Sequence, residues 1–185
     1  NVLNALAVVC IAQEMGIPDE VLRKTFEQFE GVKRRFTITG VVNDVTFVDD
    51  YAHHPTEIRA VIKGAVSLNK GRLFVVVQPH RYTRLKDHFQ DFVDVFHEER
   101  GGVDKIYITP VYAAGESPID GYNSEALVNE SIAKGVNVEH IPSEEALKMI
   151  LLKMLQPNDM VIFMGAGNIT QWAYDMPDLY TAVVA

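Results

Sequence analysis

Val45-Thr46-Phe47-Val48-Asp49-Asp50-Tyr51-Ala52-His53-His54-Pro55-Thr56-Glu57 changes character halfway along, and that change decides the fold. Its first four residues are β-branched or aromatic, as a buried strand requires. From Ile58 to Leu68 the apolar residues recur at helical spacing. Pro55 suits the first turn of that helix, because the N–H it lacks is one a helix start leaves unpaired. A strand that enters a helix through two carboxylates, a phenol and two imidazoles puts those groups at a strand's carboxyl end. In open α/β sheets, that is where ligands bind.

The same alternation extends on both sides. Upstream, Arg35 to Val42 and Val45 to Asp49 read as a hairpin around Asn43-Asp44, a favourable turn pair. Downstream, Leu73-Phe74-Val75-Val76-Val77 is an unbroken apolar run, typical of a strand covered on both faces. A helix over Thr83 to Glu99 follows, then a strand from Lys105 to Thr109 and a loop from Val111 to Tyr122. A helix from Ser124 to Lys134 leads to a strand at Val138 to Ile141. Ser143 caps a helix running to Leu155, with Glu144 and Glu145 suited to its positive end. The last strand, Met160 to Met164, runs through Gly165-Ala166-Gly167 into a short helix ending near Trp172. Strands alternating with helices of this length predict βαβ units, hence a Rossmann-like three-layer α/β domain with a mostly parallel sheet.

Residues 1–32 read differently, as a helix from about Val2 to Met15 ending at Gly16 and a second from Glu20 to Phe29. The basic connector Gly31-Val32-Lys33-Arg34-Arg35 marks a domain boundary, dividing 1–32 from 33–185. The first helical stripe begins without a capping sequence and without Met, so the chain is expected to be cut from a larger protein.

Composition narrows the function classes. With 48% hydrophobic and 23% charged residues in 185, the chain can bury a core. A net charge of −8 argues against a general nucleic-acid binder. Cys10 stands alone in an apolar helical run, so neither a disulfide framework nor a thiolate zinc site is expected. With no signal peptide and no apolar run of membrane-span length, the chain reads as cytoplasmic with no membrane partner. The oligomeric state is left open.

Three features fall at carboxyl ends of predicted strands. Besides Asp49 to Glu57 they are Gln78-Pro79-His80-Arg81-Tyr82-Thr83-Arg84 and Gly165-Ala166-Gly167-Asn168. Arg81 and Arg84 share one face of a helix start, where the dipole disfavours cations. Either a bound carboxylate or phosphate relieves that conflict, or Asp87 or Asp91 pairs with them on a solvated surface. Adjacent His53 and His54 diverge, so hydrogen bonding or capping is expected of them rather than a shared metal. His88, His97 and His140 read as isolated structural residues. The glycine pair after the last strand is explained by a tight turn into a helix. It departs from the dinucleotide fingerprint, because Thr170 stands at the third glycine's place.

Four stretches occur in a telling order: Asn1-Val2-Leu3-Asn4-Ala5-Leu6-Ala7, Gly31-Val32-Lys33-Arg34-Arg35-Phe36, Asp49 to Glu57, and Gln78 to Arg84. Together they resemble the carboxyl-terminal part of the Mur ligases, above all the branch that joins L-alanine to UDP-N-acetylmuramate. The resemblance spans essentially the whole chain. It implies that residues 1–32 end a central ATP-binding domain and that 33–185 form the carboxyl-terminal domain. It also implies ATP and Mg2+ as cofactors: ATP phosphorylates the sugar carboxylate, and the amino acid's amine then attacks the acyl phosphate.

By position, Asn1, Asn4, Arg35 and Asp50 resemble the nucleotide-binding residues, with Asp50 toward the ribose. Tyr51, His53, Arg81 and Arg84 resemble the amino-acid-binding group, with the arginines on its carboxylate; His80, His54 and Arg34 are supporting residues. No metal ligand and no catalytic residue is assigned within the chain. The family's phosphate loop and magnesium-binding acid are absent from this sequence, so this polypeptide alone is expected to be inactive. The alternatives are a muropeptide-recycling ligase that attaches a tripeptide to the same sugar nucleotide, a stand-alone dinucleotide-binding module, and a noncatalytic interaction domain.

Overall fold

The computed structural model describes residues 2–29 and 31–184. They form two compact units that divide between Val32 and Lys33. In the first, α1 (Val2–Glu14) and α2 (Asp19–Gln28) are joined through Gly16, whose φ of 69° needs a residue without Cβ. The Ile17 N–H reaches Ala12 O at 2.9 Å and the Gly16 N–H reaches Gln13 O at 3.0 Å, the paired bonds that close a helix on an αL glycine.

The second unit runs β1 (Thr37–Val42), β2 (Val45–Asp50), α3 (Pro55–Leu68), β3 (Leu73–Val77), α4 (Tyr82–Asp87), α5 (Phe89–Glu99), β4 (Lys105–Ile108), α6 (Ser124–Ala133), β5 (Val138–His140), α7 (Glu144–Met154), β6 (Met160–Met164) and α8 (Ile169–Val184). Asn43 and Asp44 take φ of 47° and 60°, the doubly positive turn whose twist suits a two-residue hairpin. The sheet order is β1-β2-β6-β3-β4-β5; β1 is antiparallel to β2 and every other neighbouring pair is parallel.

Side-chain alternation builds two cores. Val75 and Val77 of β3 and Ile162 of β6 face α3, α5 and α6, through Ile58, Ile62, Phe92, Phe96 and Leu127. Phe74, Val76, Val161 and Phe163 face α7 and α8, through Leu147, Leu151, Trp172 and Met176. This is the predicted three-layer arrangement, and its cause is topological. The chain steps from β2 out to β5 in one direction and then returns to β6. Crossovers of one hand must change face when the direction reverses.

Two helices differ from the sequence reading. The helix expected over Thr83 to Glu99 is two, because His88 leaves helical geometry with φ −118° and ψ 19°. Its ring packs edge-on against His54 at 4.4 Å between centroids, and its Nδ1 meets Asp91 at 2.9 Å. His88 is therefore not isolated, and its contact comes from a distant segment that helical periodicity does not register.

The final helix does not end near Trp172 but runs to Val184, with Pro177 inside it. Proline has no N–H to offer the carbonyl four residues back, Ala173 O. Thr39 Oγ1 of β1 donates to that carbonyl instead, at 2.7 Å. Gly40 lets the strand come close, since a Cβ there would lie 2.6 Å from the Pro177 Cβ. No helix among the described residues is long and apolar enough to cross a membrane.

Thr39→Val leaves the Ala173 carbonyl unpaired in the interior and is expected to cost about 1–2 kcal/mol in chemical denaturation. In a Pro177→Ala background, where the helix recovers its own donor, the same substitution is expected to cost measurably less.

Candidate functional site

The carboxyl ends of the five parallel strands lie in one row, Asp50, Met164, Val77, Ile108 and His140 being register partners in turn. The loops leaving them therefore meet at one edge. The ladder continues past the strands: Gly165 N donates to Asp50 O at 3.1 Å, and Gln78 N to Met164 O at 2.9 Å. β6 sends its chain to the α8 face while β2 and β3 send theirs to the α3 and α5 face. The Gly165 loop thus stands at a switch point between the other two, where such folds open a crevice.

The chain bends at 166–168 into α8 as expected, and Gly165 and Gly167, neither with positive φ, allow close approach there. A Cβ on Gly167 would lie 2.4 Å from Gln78 Oε1 and 2.5 Å from the Tyr112 ring. Gln78 Oε1 also accepts the Ile169 N–H at 3.3 Å, and its Nε2 donates to Asn168 Oδ1 at 2.8 Å. The space where a dinucleotide fingerprint would seat a pyrophosphate is filled by the protein's own side chains.

Arg34 ties this edge together. Its Nη2 donates to Gly165 O and, at 3.4 Å, to Gly167 O. Its Nε lies 3.6 Å from Asp49 Oδ2, and its guanidinium covers the Tyr51 ring at 4.7 Å. Its own carbonyl accepts the Tyr51 N–H at 2.8 Å. Asp49 is completely buried; Thr170 Oγ1 donates to its Oδ2 at 2.7 Å, while Oδ1 has no partner among the described residues. Burial pushes the Asp49 carboxyl above its usual range, with Asp50 adding to the push and Thr170 and Arg34 opposing it.

Asp50 is only 4% exposed, and its two oxygens accept the Phe36 N–H at 2.7 Å and the Ala52 N–H at 2.8 Å. Arg35 is exposed, near enough to Glu57 to stabilise that carboxylate. Asn4 is exposed on α1 of the first unit, and Asn1 lies outside the described residues.

The group expected to bind an amino acid is gathered in one chain of contacts. The Tyr51 ring meets the His53 ring edge-on at 5.1 Å, and His53 lies 5.7 Å from His80. His53 Nδ1 is 2.8 Å from Tyr51 O, an acceptor, so that nitrogen carries a proton. His54 takes the capping role: its Nδ1 accepts the Thr56 N–H at 3.3 Å, and Glu57 answers its backbone N–H at 3.3 Å.

Arg84 Nη1 donates to His80 Nδ1 at 3.2 Å, which requires that nitrogen to be unprotonated. Burial, then the charges of Arg84, His53 and Arg81, hold His80 below its usual range and keep it neutral. Arg81 sits at φ 68° and ψ 135°, an unfavourable backbone for a residue with Cβ, fixed by its N–H on Tyr112 O at 2.9 Å. Neither Asp87 nor Asp91 pairs with these arginines. The neighbouring acid is Glu116, 4.0 Å from Arg81 Nη1, and Arg84 has no acidic partner among the described residues. Glu116, and Tyr112 stacked on His80 at 5.5 Å and 15°, come from the loop after β4, whose sequence has no period or motif to mark them.

These features define a Rossmann-like α/β domain with arginines, histidines and carboxylates gathered at its strand ends. Residues 34–167 match the family described as Mur ligase, glutamate ligase domain. The chain belongs to the Mur ligase family. It is 49% identical over 178 residues to the UDP-N-acetylmuramate–L-alanine ligase of Chelativorans sp. (strain BNC1), an alignment covering 96% of this chain and 37% of that protein. The enzyme of the same name from Phenylobacterium zucineum is 44% identical, over 100% of this chain and 38% of its own length. The chain thus spans little more than a third of these relatives. Among solved structures, the UDP-N-acetylmuramate-alanine ligase of Thermotoga maritima superposes with a TM-score of 0.77 at 25% identity, covering 98% of this chain and 38% of its own.

The Asp49 carboxyl makes a pH prediction. Below its ordinary pKa it is protonated in folded and unfolded chains alike and contributes nothing. Above its raised folded value it is ionised in both, and the folded state carries the full burial cost. Asp49→Asn is therefore expected to gain stability relative to the parent as pH rises from about 4 to 7, read by thermal melts across that range. A difference independent of pH would contradict it.

Proposed function

We propose that this chain is the carboxyl-terminal part of an ATP-dependent cytoplasmic ligase that joins L-alanine to UDP-N-acetylmuramate in peptidoglycan precursor synthesis. The observation that carries the reading is the arginine pair: Arg84 has no acidic partner among the described residues, and Arg81 only a distant one. Both sit beside a neutral imidazole at the strand-end crevice. Two forked donors without a close carboxylate suit the carboxylate of a free amino acid. Tyr51 and His53, in edge-on contact, line the approach. Relatives named for L-alanine ligation supply the substrate.

Toward the nucleotide we assign Asn4, Arg35 and Asp50, with Asn1 carried by resemblance alone. Asp50 fits the ribose in its chemistry, because each oxygen keeps one lone pair beyond its backbone bond. At 4% exposure, that contact requires the chain at Phe36 or Ala52 to move aside. No group of three or more His, Cys, Asp or Glu side chains among the described residues is placed to hold a metal. We therefore assign the magnesium ion to the rest of the enzyme.

In the full-length ligase, Arg84→Ala or Arg81→Ala is expected to raise the KM for alanine about ten- to a hundredfold, the effect of losing one charge-assisted bond, while the KM for ATP holds. Unchanged alanine kinetics would remove the arginines from the site. The 185-residue polypeptide alone is expected to give no ATP-dependent alanine ligation, and detectable amide product would contradict that.

A further inference from the structure

Glu116 is a carboxylate fixed beside Arg81, the first of the two arginines. Its Oε2 accepts the Thr83 N–H at 3.0 Å and its Oε1 accepts Thr83 Oγ1 at 2.7 Å. Both oxygens are thus committed to the first turn of α4, and the nearer one stays 4.0 Å from Arg81 Nη1. The two Thr83 bonds, more than the Arg81 charge, hold the carboxyl below its usual range and keep it ionised. Glu116 can neither swing onto Arg81 to satisfy it nor retreat from it. A fixed anion therefore stands at the rim of a site whose cations await a carboxylate.

Resting on the reading that the arginine pair holds an amino acid by its α-carboxylate, we propose that Glu116 determines specificity by excluding amino acids with acidic side chains. The α-carboxylate is common to every candidate and is matched by two arginines. A second carboxylate, two or three bonds further out, has no cation to match it on the side where Glu116 stands: Arg34 lies over the Tyr51 ring and is committed to the Gly165 loop. It enters the field of Glu116 instead, and like charges in a partly desolvated crevice repel. Neutral side chains such as the alanine methyl do not meet this term. Tyr112, stacked on His80 and against Gly167, backs the same loop and keeps it from yielding.

The test separates charge from shape. In Glu116→Gln the amide oxygen can still accept from Thr83 N and the amide NH2 can still donate to Thr83 Oγ1, so the loop stays pinned while the charge goes. In the full-length ligase, the Ki of L-aspartate and of L-glutamate as competitors is measured against the KM of L-alanine. Glu116→Gln is expected to lower both Ki-to-KM ratios at least about tenfold, roughly one close charge–charge interaction at the surface of a protein. Ratios within about twofold of the parent would overturn the proposal. If the variant does not fold, the parent enzyme decides. Discrimination against aspartate should weaken between about 0.05 and 0.5 M sodium chloride, and a ratio indifferent to salt overturns it. Failure of the parent to use alanine at all would instead remove the underlying reading.

Discussion

A carboxylate without access to water, Asp49, and the arginine above it constrain everything built on the strand ends. Neither group is well served: Asp49 Oδ1 and Arg34 Nε have no hydrogen-bond partner among the described residues. A buried pair of this kind adds little net stability, since desolvation offsets most of the Coulomb attraction. Its effect is positional. Thr170 brings the start of α8 to Asp49, and Arg34 brings the incoming chain to the same carboxylate. Arg34 then spends its other donors on the Gly165 loop. Three segments far apart in sequence are thereby fixed to one another before any ligand is considered.

The crevice stores unfavourable terms next to that fixed frame. Arg81 holds a strained backbone, Arg84 lacks a counter-ion among the described residues, and His80 is kept neutral between cations. Each is tolerable because neighbouring loops over-determine it, the β4 loop contributing Tyr112 and Glu116 to the one after β3. Strained and charged groups gathered at the strand ends, above cores of mostly apolar side chains, fit a place where local rules yield to function.

The sequence carried the fold because its local signals agreed. Gly16 closes a helix, Asn43-Asp44 turns a hairpin, and Leu73 to Val77 reads as doubly covered and is. His54 as a cap was also legible, since Pro55 and Glu57 stand at the positions a helix start uses. What could not be read came from residues meeting across the sheet. His88 breaks a helix because of His54, and α8 survives its proline because of Thr39. Gly167 is glycine because of Tyr112. The arginine pair announced that an anion was needed, but a residue 32 to 35 positions away in an irregular loop, Glu116, supplied part of it. Arg34 looked peripheral for the same reason: it joins Asp49 and Tyr51 to backbone carbonyls of the Gly165 loop, and those carbonyls leave no mark in the side-chain pattern.

The position of β6 has a consequence for how the chain comes into being. It is the last strand in sequence and the one that joins β2 to β3, which do not pair with each other. Until it is made, the hairpin and the three-stranded piece β3-β4-β5 each present an open edge where a central strand belongs, with Val48 and Val75 uncovered. Such edges are templates for pairing with the wrong chain. After β6 comes α8, whose proline-interrupted ladder is completed from β1, 134 positions away. Within this unit, vectorial synthesis therefore delivers β6 after the strands it joins, and until then both edges are open to misassembly.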